Sequence, residues 1–418
     1  MTKFSTIKGF ADLFEPDSTV FSMLEQTALR VFGSYGYKEL RVPILEYTDL
    51  FCRSIGTETD VVQKEMFTFP DRKGRMLTMR PEATAGIMRA YIEGGCPNRE
   101  GVSKLFSYGP MFRYERPQKG RMRQFHQLDC ECLGAHEPQA DAEVIFMLMR
   151  FLQEAGLEGL RLELNTLGCR ECRPAYRESL TRYLEGLDTD KLCENCRRRM
   201  ATNPLRVLDC KEPGCKALTE NAPTIGESVC EPCREHFGSV KSLLDAENVP
   251  YELNSRLVRG LDYYMRTTFE VISSSIGAQG SVAGGGRYDG LVSQLGGPDM
   301  PGIGFACGME RLALMLQEKE QPVQRPDFYI ACQAPEAPAT AVRLAQRLRE
   351  SGLAGELSFA AKSLKSQMRL ASKNAARFCL LLGETELQEH SVTIKNMDTS
   401  EQVSVAFDAL PAWAQSVS

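Results

Sequence analysis

The sequence predicts an α+β protein: an antiparallel sheet core with flanking helices, a cysteine-rich inserted domain and a C-terminal α/β domain. Three observations predict it. The run FSYGPMFRYERPQKGRMRQFHQLDCE, from Phe106 to Glu131, reads as two period-two strands joined by a loop. Eight of the fifteen cysteines lie between Cys169 and Cys233, where strand patterning lapses until about Val249. Beyond a polar linker at 317–326, strand and helix patterns alternate to the end of the chain. The expected boundaries are 1–167 and 249–320 for the two parts of the core, 168–248 for the insertion and 326–418 for the last domain.

Element by element, residues 17–33 form an amphipathic helix, with Val20, Leu24, Ala28 and Val31 at helical spacing and Asp17 or Ser18 as cap. YGYKELRVPILE alternates as a strand broken at Pro43. Short strands follow at Glu65–Phe69 and Arg75–Met79. Pro81 and Glu82 open a helix through Tyr91, proline suiting the first turn. After the hairpin come a helix at Asp141–Glu154 and a strand at Leu160–Leu164, then the insertion with short helices. Val258–Ile272 and Gly280–Gly290 flank a serine- and glycine-rich turn, and a helix begins at Met309. The last domain reads as strand Asp327–Cys332, helix Ala339–Ser351, strand Glu356–Phe359, helix Ser363–Asn374, strand Arg377–Leu382 and two further strands.

With 43% hydrophobic and 25% charged residues, the composition is that of a soluble globular chain. A net charge of -5, from 50 basic and 55 acidic residues, argues against non-specific coating of nucleic acid but allows a local basic groove. The N-terminus lacks a signal-type apolar region and no run reaches membrane-span length, so a cytoplasmic protein with no membrane partner is expected.

The hairpin is the most informative stretch. Phe106, Tyr108, Phe112 and Tyr114 share one parity and Arg113 takes the other. On the second strand Arg123, Phe125, Gln127, Asp129 and Glu131 share a face. The loop from Glu115 to Arg121 carries Arg116, Gln118, Lys119 and Arg121. A basic tip with an arginine at its root suits a polyanion; a solvated hairpin is the alternative. Arg259 in LVRGLDYYMRTTFEV and Arg311 in FACGMERLALML also sit at strand ends flanked by glycine or aromatics, where a guanidinium can grip phosphate or carboxylate. Each alone reads first as a structural ion pair; the shared context of all three favours the anion reading. No Gly-Lys dipeptide occurs, so there is no Walker A loop, and neither AGGGRYDG nor GIGFACG keeps the dinucleotide spacing. Any ATP site must be built otherwise. Glu82 and Thr84 read as helix caps, and Tyr263 and Tyr264 as core aromatics, on local pattern alone.

Cys169-x-x-Cys172, Cys193-x-x-Cys196, Cys210-x4-Cys215 and Cys230-x-x-Cys233 are spaced to ligate metal, and four pairs close up to two tetrahedral Zn²⁺ sites. Iron–sulfur clusters, redox dithiols and buried free thiols are the alternatives. Lys362, Lys365, Arg369 and Lys373 fall on one helix face, either a solvated face or a phosphate-contacting stripe.

Together these stretches resemble the histidyl-tRNA synthetase family of class II aminoacyl-tRNA synthetases, nearly from end to end. YGYKELRVPILE is similar to the first class motif, a dimer-interface element with Pro43; FRYERPQKGRMRQFHQ to the second; GIGFACGMERLALML to the third. LVRGLDYYMRTTFEV and AGGGRYDGL resemble stretches specific to the histidine enzymes, and TMRPEATAG their histidine-pocket segment. The resemblance implies a class II antiparallel core, an inserted domain and a C-terminal anticodon-binding domain, in a homodimer that joins L-histidine to tRNA(His) with ATP and Mg²⁺. It implies catalytic roles for Arg113 and Arg259. Glu82, Ala83, Thr84, Arg113, Gln127, Glu131, Arg259, Tyr263, Tyr264 and Tyr288 would hold histidine. Arg113, Arg121, Glu131 and Arg311 would hold ATP, and Arg116, Gln118, Lys119, Arg121, Lys365 and Arg369 would meet tRNA. Ala83 replaces a glycine usual in the family's pocket segment, and Asp129 stands where a small residue is common. The cysteine pairs are not part of the resemblance, so the zinc expectation rests on spacing.

Overall fold

The computed structural model describes residues 4–57, 59–98, 101–261, 263–274, 280–317, 325–359 and 363–417. They fall into two compact units, Met1–Gln321 and Pro322–Ser418. Among the described residues no helix is long and apolar enough to cross a membrane.

Eleven strands belong to the first unit: β1 Lys38–Glu39, β2 Leu45–Tyr47, β3 Phe67–Pro70, β4 Met76–Met79, β5 Ser103–Phe112, β6 Gln124–Leu133, β7 Leu160–Thr166, β8 Glu252–Leu253, β9 Met265–Ser273, β10 Ser281–Arg287 and β11 Gly302–Gly308. Eight form one sheet in the order β1-β5-β6-β11-β10-β9-β7-β8, antiparallel except at its two edges. Alternation on β6 decides what each face does. Leu128, Cys130 and Cys132 enter the main apolar core, while Gln127, Asp129 and Glu131 turn to the opposite face and line a cavity. The core is closed by helices Asp17–Ser34, Pro138–Glu154 and Met309–Gln317. Phe32 anchors it, its ring 5.6 Å from Phe106, 5.3 Å from Phe151 and 5.9 Å from Phe305. Replacing such a ring with alanine costs about 3–5 kcal/mol.

Several expectations need correction. The first helix is preceded by Pro16, and neither Asp17 nor Ser18 caps it with a side chain. YGYKELRVPILE is not one strand. β1 pairs with β5, and β2 joins β3 and β4 in a separate three-stranded sheet, because Pro43 interrupts the ladder between them. The strand expected from Val258 begins only at Met265, and of the residues before it Val258, Arg259, Gly260, Leu261, Tyr263 and Tyr264 line the cavity. A helix at Thr48–Ile55 was not read from the sequence. The helix expected from Pro81 starts at Thr84. The insertion holds long helices, Cys172–Glu185 and Glu231–Ala246, as well as short ones. It has its own core around Tyr176, Leu180, Leu184 and Val207.

The second unit is a five-stranded sheet of β12 Phe328–Cys332, β13 Gly355–Leu357, β14 Phe378–Leu382, β15 Ser391–Asn396 and β16 Gln402–Ala406, in the order β13-β12-β14-β15-β16. Strands β13, β12 and β14 are parallel, as βαβ crossovers require, and the last two are antiparallel. Helices Ala337–Glu350 and Leu410–Val417 bury Leu344, Leu348, Leu410 and Ala414 against it; the latter helix was not expected.

Candidate active site

A cavity of about 490 Å³ lies on the polar face of the large sheet. The structure brings Arg113, Arg121, Arg259 and Arg311 together there with Glu82, Thr84, Gln127, Glu131, Tyr263, Tyr264 and Tyr288. Ala83 does not line it; fully buried, it packs behind the pocket in the apolar cluster that holds Tyr264 and Tyr288. Arg116, Gln118 and Lys119 are exposed at the hairpin tip, where Gln118 and Arg121 exchange backbone hydrogen bonds of 3.0 and 2.9 Å. Lys365, Arg369 and Lys373 are exposed on helix Leu364–Lys373 of the second unit; Lys362 lies outside the described residues.

One end of the cavity is a cluster of buried carboxyls. Glu82 accepts from the N–H groups of Thr84 and Ala85, both at 2.9 Å, so its carboxylate caps the helix that starts at Thr84. Capping and pocket lining are therefore one arrangement. Thr84 Oγ1 donates to Glu131 Oε1 at 2.7 Å and the Tyr288 hydroxyl donates to Glu131 Oε2. Burial raises the pKa of Glu131 to about 8, against the opposing pull of the Thr84 and Tyr288 hydrogen bonds. Burial likewise raises Glu82, and it raises Asp129 strongly, with Glu131 and Glu82 adding to it. Both oxygens of Asp129 are buried with no hydrogen-bond partner. Tyr263 stacks near Tyr264 and Tyr288, with ring centroids 4.6 and 5.7 Å away.

The arginines are held by glycines and carbonyls. Arg113 Nε donates to the Pro81 carbonyl at 2.9 Å, and its guanidinium lies 5.3 Å from the Phe125 ring centre. Arg259 Nη1 donates to Glu270 Oε1 at 3.2 Å; burial opposes its charge, but Glu270 and Tyr264 more than offset this and raise its pKa. Its guanidinium lies flat on β10, where a Cβ on Gly284 would come within 2.3 Å of Nη1. Gly304 does the same for Glu131, whose Oε2 would be 1.9 Å from an added Cβ. Arg311 donates to the Ser281 carbonyl and, at 3.4 Å, to that of Gly120. Burial and the nearby Arg121 lower its pKa. Arg121 is paired with Glu115 at 2.9 Å. Such a convergence of half-buried cations suits the oxygens of a triphosphate.

Sequence reasoning missed Glu270 and Gly284, which position Arg259, and Glu310, which accepts from the His126 N–H at 2.9 Å. It also missed Arg199, Arg206 and Lys211, which reach the cavity from the insertion. Glu270 had a signal, its parity on β9. The glycines were noticed only as failed nucleotide fingerprints.

Away from the cavity, the cysteines gather in two fours: Cys169, Cys172, Cys230 and Cys233, and Cys193, Cys196, Cys210 and Cys215. Within each, the sulfurs all lie within 4.8 Å of one another, with S···S distances of 3.5, 3.9 and 3.9 Å in the first and 3.8 Å for Cys193 to Cys210 in the second. Four thiolates about 2.3 Å from a tetrahedral ion stand about 3.8 Å apart. The Cys172 thiol is held down to about 7: burial opposes this, and N–H groups of Cys230 and Cys169 prevail.

An antiparallel sheet bearing an arginine-lined cavity, in a chain that ends in a separate α/β unit, has the architecture of a class II aminoacyl-tRNA synthetase. A histidyl-tRNA synthetase family model matches residues 9–312, and an anticodon binding domain model matches residues 327–416. The histidine–tRNA ligase of Nitratidesulfovibrio vulgaris (strain DP4) is 66% identical over 412 residues, covering 99% of this chain and 98% of the relative. That of Syntrophotalea carbinolica is 48% identical over 406 residues, covering 97% of each. The crystal structure of apo S. aureus histidyl-tRNA synthetase superposes with a TM-score of 0.83 at 34% identity, covering 99% of this chain and all of that one. The chain belongs to the histidyl-tRNA synthetase family. It is a class II ligase that attaches histidine to tRNA(His) in an ATP-dependent reaction.

Proposed function

We propose that the cavity makes histidyl-adenylate and then transfers the histidyl group to the tRNA 3′ end, with roles assigned as follows. Glu82, Thr84 and Gln127 hold the α-ammonium. Glu131, Tyr264 and Tyr288, with Tyr263, match the imidazole. Arg113 grips the α-phosphate, Arg311 and Arg121 the far phosphates, and Arg259 sits between the amino-acid carboxylate and the α-phosphorus. The carboxylate oxygen attacks the α-phosphorus in line and pyrophosphate leaves. The terminal ribose hydroxyl then attacks the adenylate carbonyl and AMP leaves. Both steps bring anions together, so fixed positive charge and alignment supply the catalysis. Mg²⁺, when bound, neutralises phosphate charge; Glu115 and Glu270, oxygen donors among the arginines, suit such an ion. The hairpin tip at Arg116, Gln118 and Lys119 meets the acceptor end, and Lys365 and Arg369 meet the tRNA from the last domain.

The cysteine fours hold two structural Zn²⁺ ions, one each, and the sulfur spacing supports this. Each set has four thiolates and no open position, so the ions stabilise the insertion, 168–248, and take no part in chemistry. The chain works as a cytoplasmic homodimer; the exposed Ile44, Leu45, Tyr47, Phe69 and Met76 on and beside the three-stranded sheet are the apolar surface offered to a second copy.

The observation that carries the reading is the meeting of Arg113, Arg259 and Arg311 in one cavity beside the Thr84–Glu131–Tyr288 cluster. Pyrophosphate exchange screened over all twenty amino acids tests it. Exchange is expected with histidine; comparable exchange with another amino acid would overturn the pocket assignment.

A further inference from the structure

Three carboxyls share the buried end of the catalytic cavity, and hydrogen bonding divides them unequally. Glu82 has both oxygens engaged by the N–H groups of Thr84 and Ala85, and Glu131 has both engaged by the hydroxyls of Thr84 and Tyr288. Asp129 lines the same cavity at 1% exposure, and neither of its oxygens has a partner. Two residues earlier on β6, facing the same way, Gln127 Oε1 is also buried without one. The nearby arginines do not fill the gap. Arg80 donates from Nη1 to the Val42 carbonyl and from Nε to that of Pro110, both at 2.9 Å, Arg113 Nε donates to the Pro81 carbonyl, and neither bonds Asp129. Buried acceptors left unmatched destabilise a fold, and a group of them facing one space marks where a donor belongs.

Register across the sheet locates that space. Ser107 on β5, Asp129 on β6, Ala306 on β11 and Gly284 on β10 are paired in one row, so they share a face. Ala306 and Gly284 line the cavity and, bearing one methyl group between them, leave its floor open beside Asp129. The far end of the row is cationic. There the guanidinium of Arg259 lies on Gly284, and its Nε is buried with no partner. Two strand spacings, about 10 Å, separate the Asp129 and Gly284 positions. Unmatched acceptors thus stand at one end of a short open floor and an unmatched cationic donor at the other, the charge pattern of a seat for a zwitterion.

We propose that Asp129 is a further substrate-binding residue: with Gln127 Oε1 it accepts the α-ammonium of the amino acid, which lies across Ala306 with its carboxylate toward Arg259. This deepens the histidine site proposed above and rests on that reading. An ammonium brings three N–H donors and a positive charge to acceptors that have neither. Its charge offsets the burial and the repulsion from Glu131 and Glu82 that work against an ionised Asp129. Glu82, already engaged on both oxygens, adds negative charge to this end but not the open acceptor. The imidazole N–H is the other donor that histidine carries, and the test separates the two.

The full chain is prepared as Asp129→Asn and Asp129→Ala. Dissociation constants are measured for L-histidine, for histidinol, which keeps the ammonium and lacks the carboxylate, for imidazolepropionate, which lacks the ammonium, and for ATP. Both variants should bind histidine and histidinol at least tenfold more weakly, while imidazolepropionate and ATP change less than twofold. Without ligand, the thermal midpoint of Asp129→Asn should equal or exceed that of the parent, because an unmatched buried acid is gone. Equal losses for histidine and imidazolepropionate would place Asp129 on the imidazole and overturn the proposal. Unaltered histidine binding would leave the carboxyl to buried water and overturn it too, as would a lowered midpoint with all four ligands weakened together. A parent protein without histidine-dependent exchange would instead defeat the underlying site assignment.

Discussion

Thr84 and Glu131 lie 47 positions apart in the chain, yet Thr84 Oγ1 donates to Glu131 Oε1 at 2.7 Å. The bond ties the first turn of a helix to the polar face of β6, and the Tyr288 hydroxyl completes the clamp on the other carboxyl oxygen. Glu131 is thus fixed in a site that disfavours its charge.

That environment predicts a pH signature. Folding raises the Glu131 pKa from 4.5 to about 8. Below pH 4.5 the group is protonated in both states. Between 4.5 and 8 the unfolded chain releases the proton and the folded chain keeps it, so stability falls as pH rises through this window. Glu131→Gln should therefore gain stability over the parent at pH 8 compared with pH 5, by roughly 2–4 kcal/mol, while losing histidine-dependent exchange. Chemical denaturation at both pH values measures it; an equal difference at the two would refute the assignment.

Arg259→Ala should abolish exchange and leave the fold intact, since losing one fixed charge at the reacting centre removes about 3–4 kcal/mol of transition-state stabilisation. Arg259→Lys should rescue poorly, a point charge being unable to replace a planar fork. Near-normal exchange in the alanine variant would remove Arg259 from the chemistry.

Gly284→Ala separates stability from activity. The three atoms nearest the new Cβ all belong to the guanidinium of Arg259, at 2.3–2.6 Å, and the far end of a flexible side chain can move aside. The thermal midpoint should shift little, while exchange falls about a hundredfold because Arg259 is displaced. A large loss of stability with normal specific activity would contradict this.

Metal analysis should find about two Zn²⁺ per chain. Cys172→Ser and Cys196→Ser should each lose about one, because they belong to different sulfur groups. Loss of both ions in either single variant would show that the centres are not independent.

Leu45→Glu with Tyr47→Asp should dissociate the homodimer proposed above, since these exposed residues lie on the three-stranded sheet. Sedimentation velocity measures it, and an unaltered mass would place the interface elsewhere.

Much of this site was legible because period two is a strong local signal. The facing of Gln127, Asp129 and Glu131 follows from parity on β6 alone. Arg113, Arg259 and Arg311 were singled out by glycine and aromatic flanks, but their meeting point came only from family resemblance. Glu270 and Gly284 went unread because their common partner, Arg259, approaches from a loop that carries no periodicity. Arg206 was invisible for a similar reason: its place depends on a long-range closure of cysteines whose spacing does not say which pair joins which. Pro16 before the first helix shows the opposite failure, a good local cap signal in Asp17 that the chain does not use.

The cysteine groups are nested: the inner four span residues 193–215, and the outer four bracket them with Cys169 and Cys172 before and Cys230 and Cys233 after. A chain made from its N-terminus exposes the complete inner set while the outer one still lacks two members. The shorter loop also closes at lower entropic cost. If both groups take the proposed zinc ions, biosynthesis would impose a chronology on metallation: the centre beside the Arg206 turn would be furnished first, and capture of a second ion would seal the whole module afterwards.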